Sequence, residues 1–252
     1  MIKLSDRLKI ISDIMKDSKT MADIGTDHGF LPIYLIQENK CSKVIMADIS
    51  ILSLEKAKNN CLRYLGSEVG GYEFRAGDGL SVLKAYEVDT VVISGMGGKL
   101  IVDIMSADMK LTSSFRKFVL QPRIGQGVLR KWLLENGFLI VREDLVIEGN
   151  YIPEIITVIS PEFREGHEKN NFCCDDYNSV ENIHEEIMYK VPTWILYASG
   201  PVREFLERNI AKEKDIIRNV MKSKERDIKA EERICENIRY LERLLARCEN
   251  ER

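Results

Sequence analysis

The stretch Thr20-Met-Ala-Asp-Ile-Gly-Thr-Asp-His-Gly-Phe30 decides the fold predicted for this chain. Its first residues form a short apolar run that ends at Ile24 and predicts a first β-strand. A polar turn between Gly25 and Gly29 follows, and the residues beyond it predict a helix with Pro32 in its first turn, where proline is tolerated. Free N–H groups at such a helix start point into the turn, so the stretch predicts a site for a polar or anionic ligand.

An acidic residue at the end of the second predicted strand extends this site. Residues 42–48 form that strand and end at Asp48. An acid about 20 residues past a glycine loop typically binds ribose hydroxyls. The glycine pattern differs from the dinucleotide fingerprint, because Asp27 would repel a pyrophosphate. It favours S-adenosylmethionine, which carries an ammonium and a sulfonium, over NAD; an ordinary turn with no ligand is the alternative.

Two further glycine turns follow predicted strands. Asp78 stands beside Gly79 and suits a hydrogen bond to an adenine amino group, although such a sequence is also simply a good turn. Residues 88–94 predict a buried fourth strand that runs into Gly95-Met96-Gly97-Gly98, where a substrate could approach the backbone closely. Ligands of open parallel sheets lie outside the carboxyl ends of the strands. The residues that we expect to converge there are Gly25, Asp48, Asp78 and Gly95.

Strands that alternate with helices predict a doubly wound α/β sheet with helices on both faces. Residues 117–121 read as a fifth strand, and residues 138–146 and 152–159 as the two strands of a hairpin. A sheet closed by one antiparallel strand is typical of Rossmann-like methyltransferases and not of dehydrogenases. We therefore predict a methyltransferase domain over residues 1–160.

Residues 161–252 are predicted to form a second, α-helical domain. Residues 161–177 are polar and rich in turn-forming residues, and we take them as the boundary. A polar run over residues 222–227 favours two helices that fold back as an antiparallel coiled-coil hairpin, and one long helix paired with a second chain is the alternative. A heptad seam is formed by Ile234, Ile238, Leu241, Leu245 and Cys248.

Composition and charge narrow the possible functions. The chain of 252 residues has 44% hydrophobic residues and a net charge of −3, which is not the overall signature of a nucleic-acid binder, although a local basic patch would suffice. It contains no long apolar run and no apolar secretory segment, so we expect a cytoplasmic protein without a membrane span. Its six cysteines include no Cys-x-x-Cys pair, so we expect reduced thiols and no metal site. The oligomeric state stays open, with a monomer slightly favoured.

Four motifs carry a further resemblance. They are Leu4-Ser5-Asp6-Arg7-Leu8, Asp23-Ile24-Gly25-Thr26-Asp27-His28-Gly29-Phe30-Leu31-Pro32, Ser94-Gly95-Met96-Gly97-Gly98, and Leu120-Gln121-Pro122 with Leu129-Arg130-Lys131-Trp132-Leu133. Together they resemble those of the bacterial tRNA (adenine-22-N1)-methyltransferases over nearly the whole chain. Three positions depart from that family: Asp48 replaces a frequent Glu, Arg123 a usual Asn, and Pro153 a Tyr.

The resemblance implies S-adenosylmethionine as cofactor and N1 of an adenine in tRNA as methyl acceptor. It also implies catalytic roles for Asp27, Met96 and Gln121. The residues expected to bind the cofactor are Gly25, Thr26, Asp27, His28, Gly29, Asp48, Ile49, Asp78, Gly79, Gly95 and Met96. Those expected to contact tRNA are Arg7, Lys212, Lys214, Arg218, Lys222, Lys224 and Arg226.

Other interpretations of the sequence stay open. The same fold could methylate a small molecule, although charged helices follow it in place of an insertion that would cover a substrate. A non-catalytic RNA-binding protein could retain a degenerate cofactor domain, but the intact acidic turn argues against it. A dehydrogenase is third, disfavoured by Asp27 and the closing hairpin. The basic residues of the C-terminal helices could also form an ordinary solvated surface.

Overall fold

The computed structural model describes residues 2–166, 185–222 and 227–250. The strands are β1 (Thr20–Ile24), β2 (Lys43–Asp48), β3 (Tyr72–Ala76), β4 (Thr90–Met96), β5 (Lys117–Pro122), β6 (Leu139–Leu145) and β7 (Glu154–Ile159). The helices are α1 (Asp6–Ile14), α2 (Phe30–Gln37), α3 (Ile51–Leu65), α4 (Gly98–Ser106), α5 (Met109–Ser113), α6 (Gln126–Glu135), α7 (Glu185–Lys190), α8 (Val202–Met221) and α9 (Ile228–Asn250).

The strands form one mixed sheet in the order β3-β2-β1-β4-β5-β7-β6. Strands β3, β2, β1, β4 and β5 are parallel to one another. Strand β7 lies between β5 and β6 and is antiparallel to both. The predicted Rossmann-like methyltransferase sheet with one antiparallel closing strand is therefore confirmed. The strand order reverses between β1 and β4, which is where ligands of such sheets bind.

The sheet is covered by helices on both faces because its central strands are apolar on both sides. In β4 every residue from Thr90 to Ile93 is buried. One buried cluster joins the sheet to α4 and α6, and a second joins it to α1, α2 and α3. The strands of the hairpin are slightly shorter than the predicted residues 138–146 and 152–159, because β6 spans Leu139–Leu145 and β7 spans Glu154–Ile159. Helix α1 starts at Asp6, after its N-cap Ser5.

Helices α8 and α9 lie antiparallel. Two ion pairs show this orientation: Arg203 near the start of α8 pairs with Glu249 near the end of α9, and Lys214 pairs with Glu242. This arrangement fits the predicted pair of helices, and most of the predicted turn between them lies outside the described residues. Most of the predicted boundary at residues 161–177 lies outside them as well. The coiled coil and the division into two domains stay predictions.

The buried face of α9 differs from the predicted heptad seam. Ile234, Leu241 and Cys248 are buried as predicted, but Tyr240 and Leu244 are more buried than Ile238 and Leu245. The reason is that α9 is covered from two sides. It packs on α8, and the Tyr240 hydroxyl also donates to the Val191 carbonyl oxygen at 2.8 Å.

Within the described residues, no helix is long and apolar enough to cross a membrane. The same part of the chain holds no cluster of three or more His, Cys, Asp or Glu side chains that could bind a metal ion. Cys41, Cys61, Cys235 and Cys248 are free thiols, and Cys173 and Cys174 lie outside the described residues.

Candidate active site

A cleft of about 590 Å³ opens at the carboxyl ends of β1, β2 and β4. This size is usual for a pocket that binds a small molecule. Gly29 and Gln121 do not line it; Gly29 instead starts α2. The predicted residues that the structure brings together around the cleft are Gly25, Thr26, Asp27, His28, Asp48, Ile49, Asp78, Gly79, Gly95 and Met96.

The turn after β1 is tied to β2 and leaves no room for a side chain at Gly25. The backbone N–H groups of Gly25 and Thr26 both donate to the carbonyl oxygen of Ala47, at 2.8 and 3.0 Å. Gly25 has a φ of +76°, and a Cβ atom there would lie 2.1 Å from Cε of Met96. Met96 therefore packs directly on the backbone of this turn, where a larger residue at position 25 would displace it.

Asp23 supports the same turn from below. Its Oδ2 accepts a hydrogen bond from the Thr26 hydroxyl at 2.7 Å. Burial raises the pKa of the Asp23 carboxyl to about 6, while the Thr26 hydrogen bond lowers it and the charge of Asp48 adds to the rise. Asp23 can keep this hydrogen bond whether it is ionised or protonated. In the protonated form the other carboxyl oxygen carries the proton, so Oδ2 still accepts from Thr26.

Asp48 at the end of β2 is held by two backbone donors. Its Oδ1 accepts from the Ser50 N–H at 2.8 Å, and its Oδ2 accepts from the Asp27 N–H at 3.3 Å. Each carboxylate oxygen has a further lone pair. Asp48 is thus fixed in orientation and can still accept hydrogen bonds from a ligand in the cleft.

The Asp27 side chain meets two basic groups at the mouth of the cleft. Its Oδ1 lies 3.2 Å from Nζ of Lys56, and its Oδ2 lies 3.3 Å from Nε2 of His28. The His28 ring stacks on the Phe30 ring with 5.2 Å between centroids. Asp27 also has a φ of +43°, a region that Asp visits more readily than most residues. Its carboxylate is half-exposed, so a ligand can still reach it.

Asp78, Gly79 and Gly95 also line the cleft; the strand order places Asp78 and Gly79 on one side of this turn and Gly95 on the other. The Asp78 side chain is exposed at the cleft. Gly95 has a φ of +83° and open space where a Cβ atom would lie. A ligand can therefore approach the backbone at the end of β4, as the glycine-rich sequence predicts.

Arg7 lies in the wall of the cleft, and its predicted contact with tRNA stays a prediction. Its Nη1 donates to Oγ of Ser94 at 2.8 Å and to Oε1 of Gln121 at 2.7 Å, and its Nε lies 3.4 Å from Oε2 of Glu148. Gln121 is only 3% exposed and its Nε2 donates to the Pro122 carbonyl oxygen. Gln121 is thus placed to orient Arg7, and its predicted catalytic role stays a prediction.

Ser94 and Glu148 were not among the predicted site residues. Ser94 directly precedes the glycine turn after β4, which was a signal in the sequence. Glu148 follows β6 and lies 141 positions from Arg7, so no local pattern connects them.

Some of the basic residues of the C-terminal helices form ion pairs with acidic side chains. Lys214 pairs with Glu242 at 2.8 Å, and Arg218 pairs with Asp215. Lys212 and Lys222 are exposed. Lys224 and Arg226 lie outside the described residues.

Comparison with known proteins identifies the family. The family model described as a methyltransferase domain matches residues 4–156, which is more than half of the chain. The chain belongs to this methyltransferase family. The matched residues contain β1 to β5 and almost the whole closing hairpin, and therefore every residue that lines the cleft.

The methyltransferase is similar to tRNA (adenine(22)-N(1))-methyltransferase of Bacillus subtilis strain 168, with 33% identity over 156 residues. The alignment covers 62% of this chain and 64% of that relative, which is just under two thirds of its length. The crystal structure of the B. subtilis M1A22 tRNA methyltransferase TrmK has 22% identity and a TM-score of 0.77, with 97% of this chain and 100% of that chain covered.

A second solved structure shares the architecture of this methyltransferase. M. capricolum TrmK, in complex with its cofactor product S-adenosyl-homocysteine, has 23% identity and a TM-score of 0.69, with 95% of this chain and 98% of that chain covered. At these identities the structural likeness establishes the fold. It extends over the C-terminal helices as well as the sheet.

Proposed function

We propose that this methyltransferase transfers a methyl group from S-adenosylmethionine to N1 of an adenine in tRNA, and that this base is adenine 22, as in the name of its B. subtilis relative. The observation that carries the proposal is the convergence of the glycine turns after β1 and β4 with Asp48 and Asp78 in one cleft. The proposed tRNA substrate is consistent with the cytoplasmic location expected from the sequence.

The residues of the cleft fit S-adenosylmethionine. Asp48 has free lone pairs for the ribose hydroxyls, and the exposed Asp78 side chain can accept from the adenine amino group. Ile49 is exposed beside Asp48 and offers an apolar surface to the adenine ring. The bound cofactor supplies an electrophilic methyl group on a cationic sulfur.

The protein's part in the reaction is mainly to position the base. N1 of adenine carries a lone pair and no proton, so no base catalyst is needed before attack. Gly95 and Met96 are proposed to hold the adenine in line with the methyl group. Because N1 lies on the Watson–Crick edge, the target base has to be unpaired or flipped into the cleft.

Asp27 is proposed to stabilise positive charge, either on the methylated base or on the ammonium of the cofactor. Lys56 and His28 hold its carboxylate in place. An Asp27→Asn variant that binds cofactor normally but transfers no methyl group would support the first role. A variant with full activity would contradict both.

Asp48 provides a direct test of the cofactor site. We expect Asp48→Ala to weaken S-adenosylmethionine binding by roughly 10- to 150-fold, because hydrogen bonds to a charged group contribute about 1.5–3 kcal/mol. Calorimetric titration measures this effect. Glu68→Ala serves as the control, since Glu68 is exposed on the loop after α3, at the opposite edge of the sheet. An unchanged affinity in Asp48→Ala would refute the assignment.

The α8–α9 helix pair is proposed to form a coiled-coil hairpin that contacts tRNA phosphates through Lys212, Lys214, Arg218 and Lys222, with Lys224 and Arg226 in the same run. Binding through phosphates should weaken steeply as salt increases. Charge reversal at Lys214 and Arg218 tests this contact, and unchanged tRNA binding would favour a solvated surface already neutralised by Glu242 and Asp215.

The function itself is tested by methyl transfer from labelled S-adenosylmethionine to unmodified total tRNA, with the modified nucleoside identified by mass spectrometry. We expect 1-methyladenosine. Tight cofactor binding without transfer to tRNA would contradict the proposal and favour a small-molecule substrate.

A further inference from the structure

The segment that joins β6 to β7 forms a tight tip beside the cleft. We call residues 147–151 the hairpin tip. Strand β6 points in the same direction as β5, because both are antiparallel to β7. The tip therefore leaves the sheet at its carboxyl edge, where the cleft also opens. It lies on the β5 side of the cleft, away from Asp48 at the end of β2.

Two arginines connect this tip to its surroundings. The Nε of Arg7, which lines the cleft, lies 3.4 Å from Oε2 of Glu148. The Nη1 of Arg208 in α8 donates to the Asn150 carbonyl oxygen at 2.9 Å. The hairpin tip thus bridges the cleft wall and the C-terminal helices.

The tip is fixed in shape and presents an aromatic ring to solvent. Glu148 and Tyr151 exchange two backbone hydrogen bonds, each of 3.0 Å. The Tyr151 side chain is nevertheless 78% exposed, and Ile147 is 44% exposed. A large ring on a fixed and solvated tip contributes nothing to the core and is available to a binding partner.

An exposed arginine lies on the loop beside this surface. Strands β5 and β7 pair as far as Leu120 and Ile156, so the loop after β5 leaves the sheet beside the hairpin tip. That loop carries Arg123, which is exposed and makes no ion pair with a described residue, and Ile124, which is 72% exposed. An exposed aromatic ring on the tip, with an exposed arginine on the loop of the neighbouring strand, suits a nucleobase with its phosphate.

We propose that the hairpin tip binds an unstacked base of the tRNA adjacent to the target nucleotide, with Tyr151 as the stacking surface and Arg123 near the phosphate. The inference rests on the proposed function and deepens it. A base that stacks here would hold the strand open beside the cleft, so that the neighbouring adenine can enter.

The test is tRNA binding by the full chain, measured by fluorescence anisotropy with unmodified tRNA. Stacking contributes about 1–3 kcal/mol per base, so we expect Tyr151→Ala to raise the Kd roughly 5- to 150-fold. We expect Tyr151→Phe, which keeps the ring, to bind within about twofold of the wild type. The ratio of the Kd of Tyr151→Ala to that of the wild type should not fall as salt increases. If Tyr151 acted through a phosphate contact, this ratio would fall at high salt.

Tyr86→Ala is the matched control. Tyr86 is 66% exposed but precedes β4, so it lies at the opposite edge of the sheet from the cleft. We expect this variant to bind tRNA as the wild type does. We also expect Tyr151→Ala to retain wild-type affinity for S-adenosylmethionine, which shows that the cleft is intact.

Three results would overturn the inference: wild-type tRNA binding by Tyr151→Ala, equal losses in Tyr151→Phe and Tyr151→Ala, or a parallel loss of cofactor binding. A different result would contradict the proposed function. If the wild type binds tRNA but transfers no methyl group, the function is wrong, and the Tyr151 binding ratio still decides the role of the hairpin tip. A wild type that does not bind tRNA overturns both.

Discussion

The turn after β1 depends on Asp23, whose carboxyl is buried and bonded to the Thr26 hydroxyl. Burial raises its pKa from 3.8 to about 6, so the folded protein retains this proton to higher pH than the unfolded chain does. Between these two values the folded state binds more protons, and stability falls as pH rises. The destabilisation is nearly complete about one pH unit above the folded-state pKa of about 6.

We therefore predict that Asp23→Asn, which can keep the hydrogen bond from Thr26, gains stability relative to the wild type as pH rises. The difference in the free energy of unfolding should increase by about 2–3 kcal/mol between pH 4 and pH 7, since one pKa unit corresponds to about 1.4 kcal/mol. Urea denaturation without cofactor measures it, with exposed Asp103→Asn as the control. A difference that stays constant with pH would contradict the assigned pKa.

At the scale of elements, a buried ionic network joins the sheet to the C-terminal part of the chain. Arg130 of α6 is fully buried and donates to the carboxylates of Glu143 in β6 and Glu154 in β7, with distances of 2.6–2.9 Å. It also donates to the last two carbonyl groups of α7, and Trp194 donates to Glu143 through Nε1 at 2.9 Å. The two carboxylates raise the pKa of Arg130, while burial raises that of Glu154.

Removal of the arginine would leave two buried carboxylates without their cation. We predict that Arg130→Ala loses about 3–5 kcal/mol in the free energy of unfolding. Trp194→Phe removes only one donor to Glu143 and should lose about 1–3 kcal/mol. The exposed Arg239→Ala on α9 is the control and should change stability by less than about 0.5 kcal/mol. Losses in Arg130→Ala no larger than in this control would show that the network does not stabilise the fold.

At the scale of the whole molecule, local patterns predicted the sheet and the cleft. Apolar runs, the glycine turns and Asp48 are each readable within a few residues, and parallel strands bring their carboxyl ends to one edge. Long-range contacts could not be predicted in this way. The hydrogen bonds of Arg130 to Lys190 span 60 positions, and those of Arg7 to Gln121 span 114.

These contacts also add detail that the sequence did not predict. Gln121 and Arg7, both predicted site residues, bond to each other because α1 places Arg7 over the end of β5. A buried network through Trp194 and Arg130 connects elements on the two sides of the predicted boundary near residue 160, and the division into two domains stays a prediction. Arg130 and its carboxylate partners thus fix the C-terminal part of the chain against the sheet. The sequence did not predict that these charged side chains are buried.

The most direct test of the proposed function compares two tRNA transcripts that differ only at position 22, with adenosine in one and guanosine in the other. The protein is incubated with labelled S-adenosylmethionine and each transcript, and the methylated position is mapped by nuclease digestion and mass spectrometry. The account predicts 1-methyladenosine at position 22 of the first transcript and no methylation of the second. Equal methylation of both transcripts, or of neither, would contradict it.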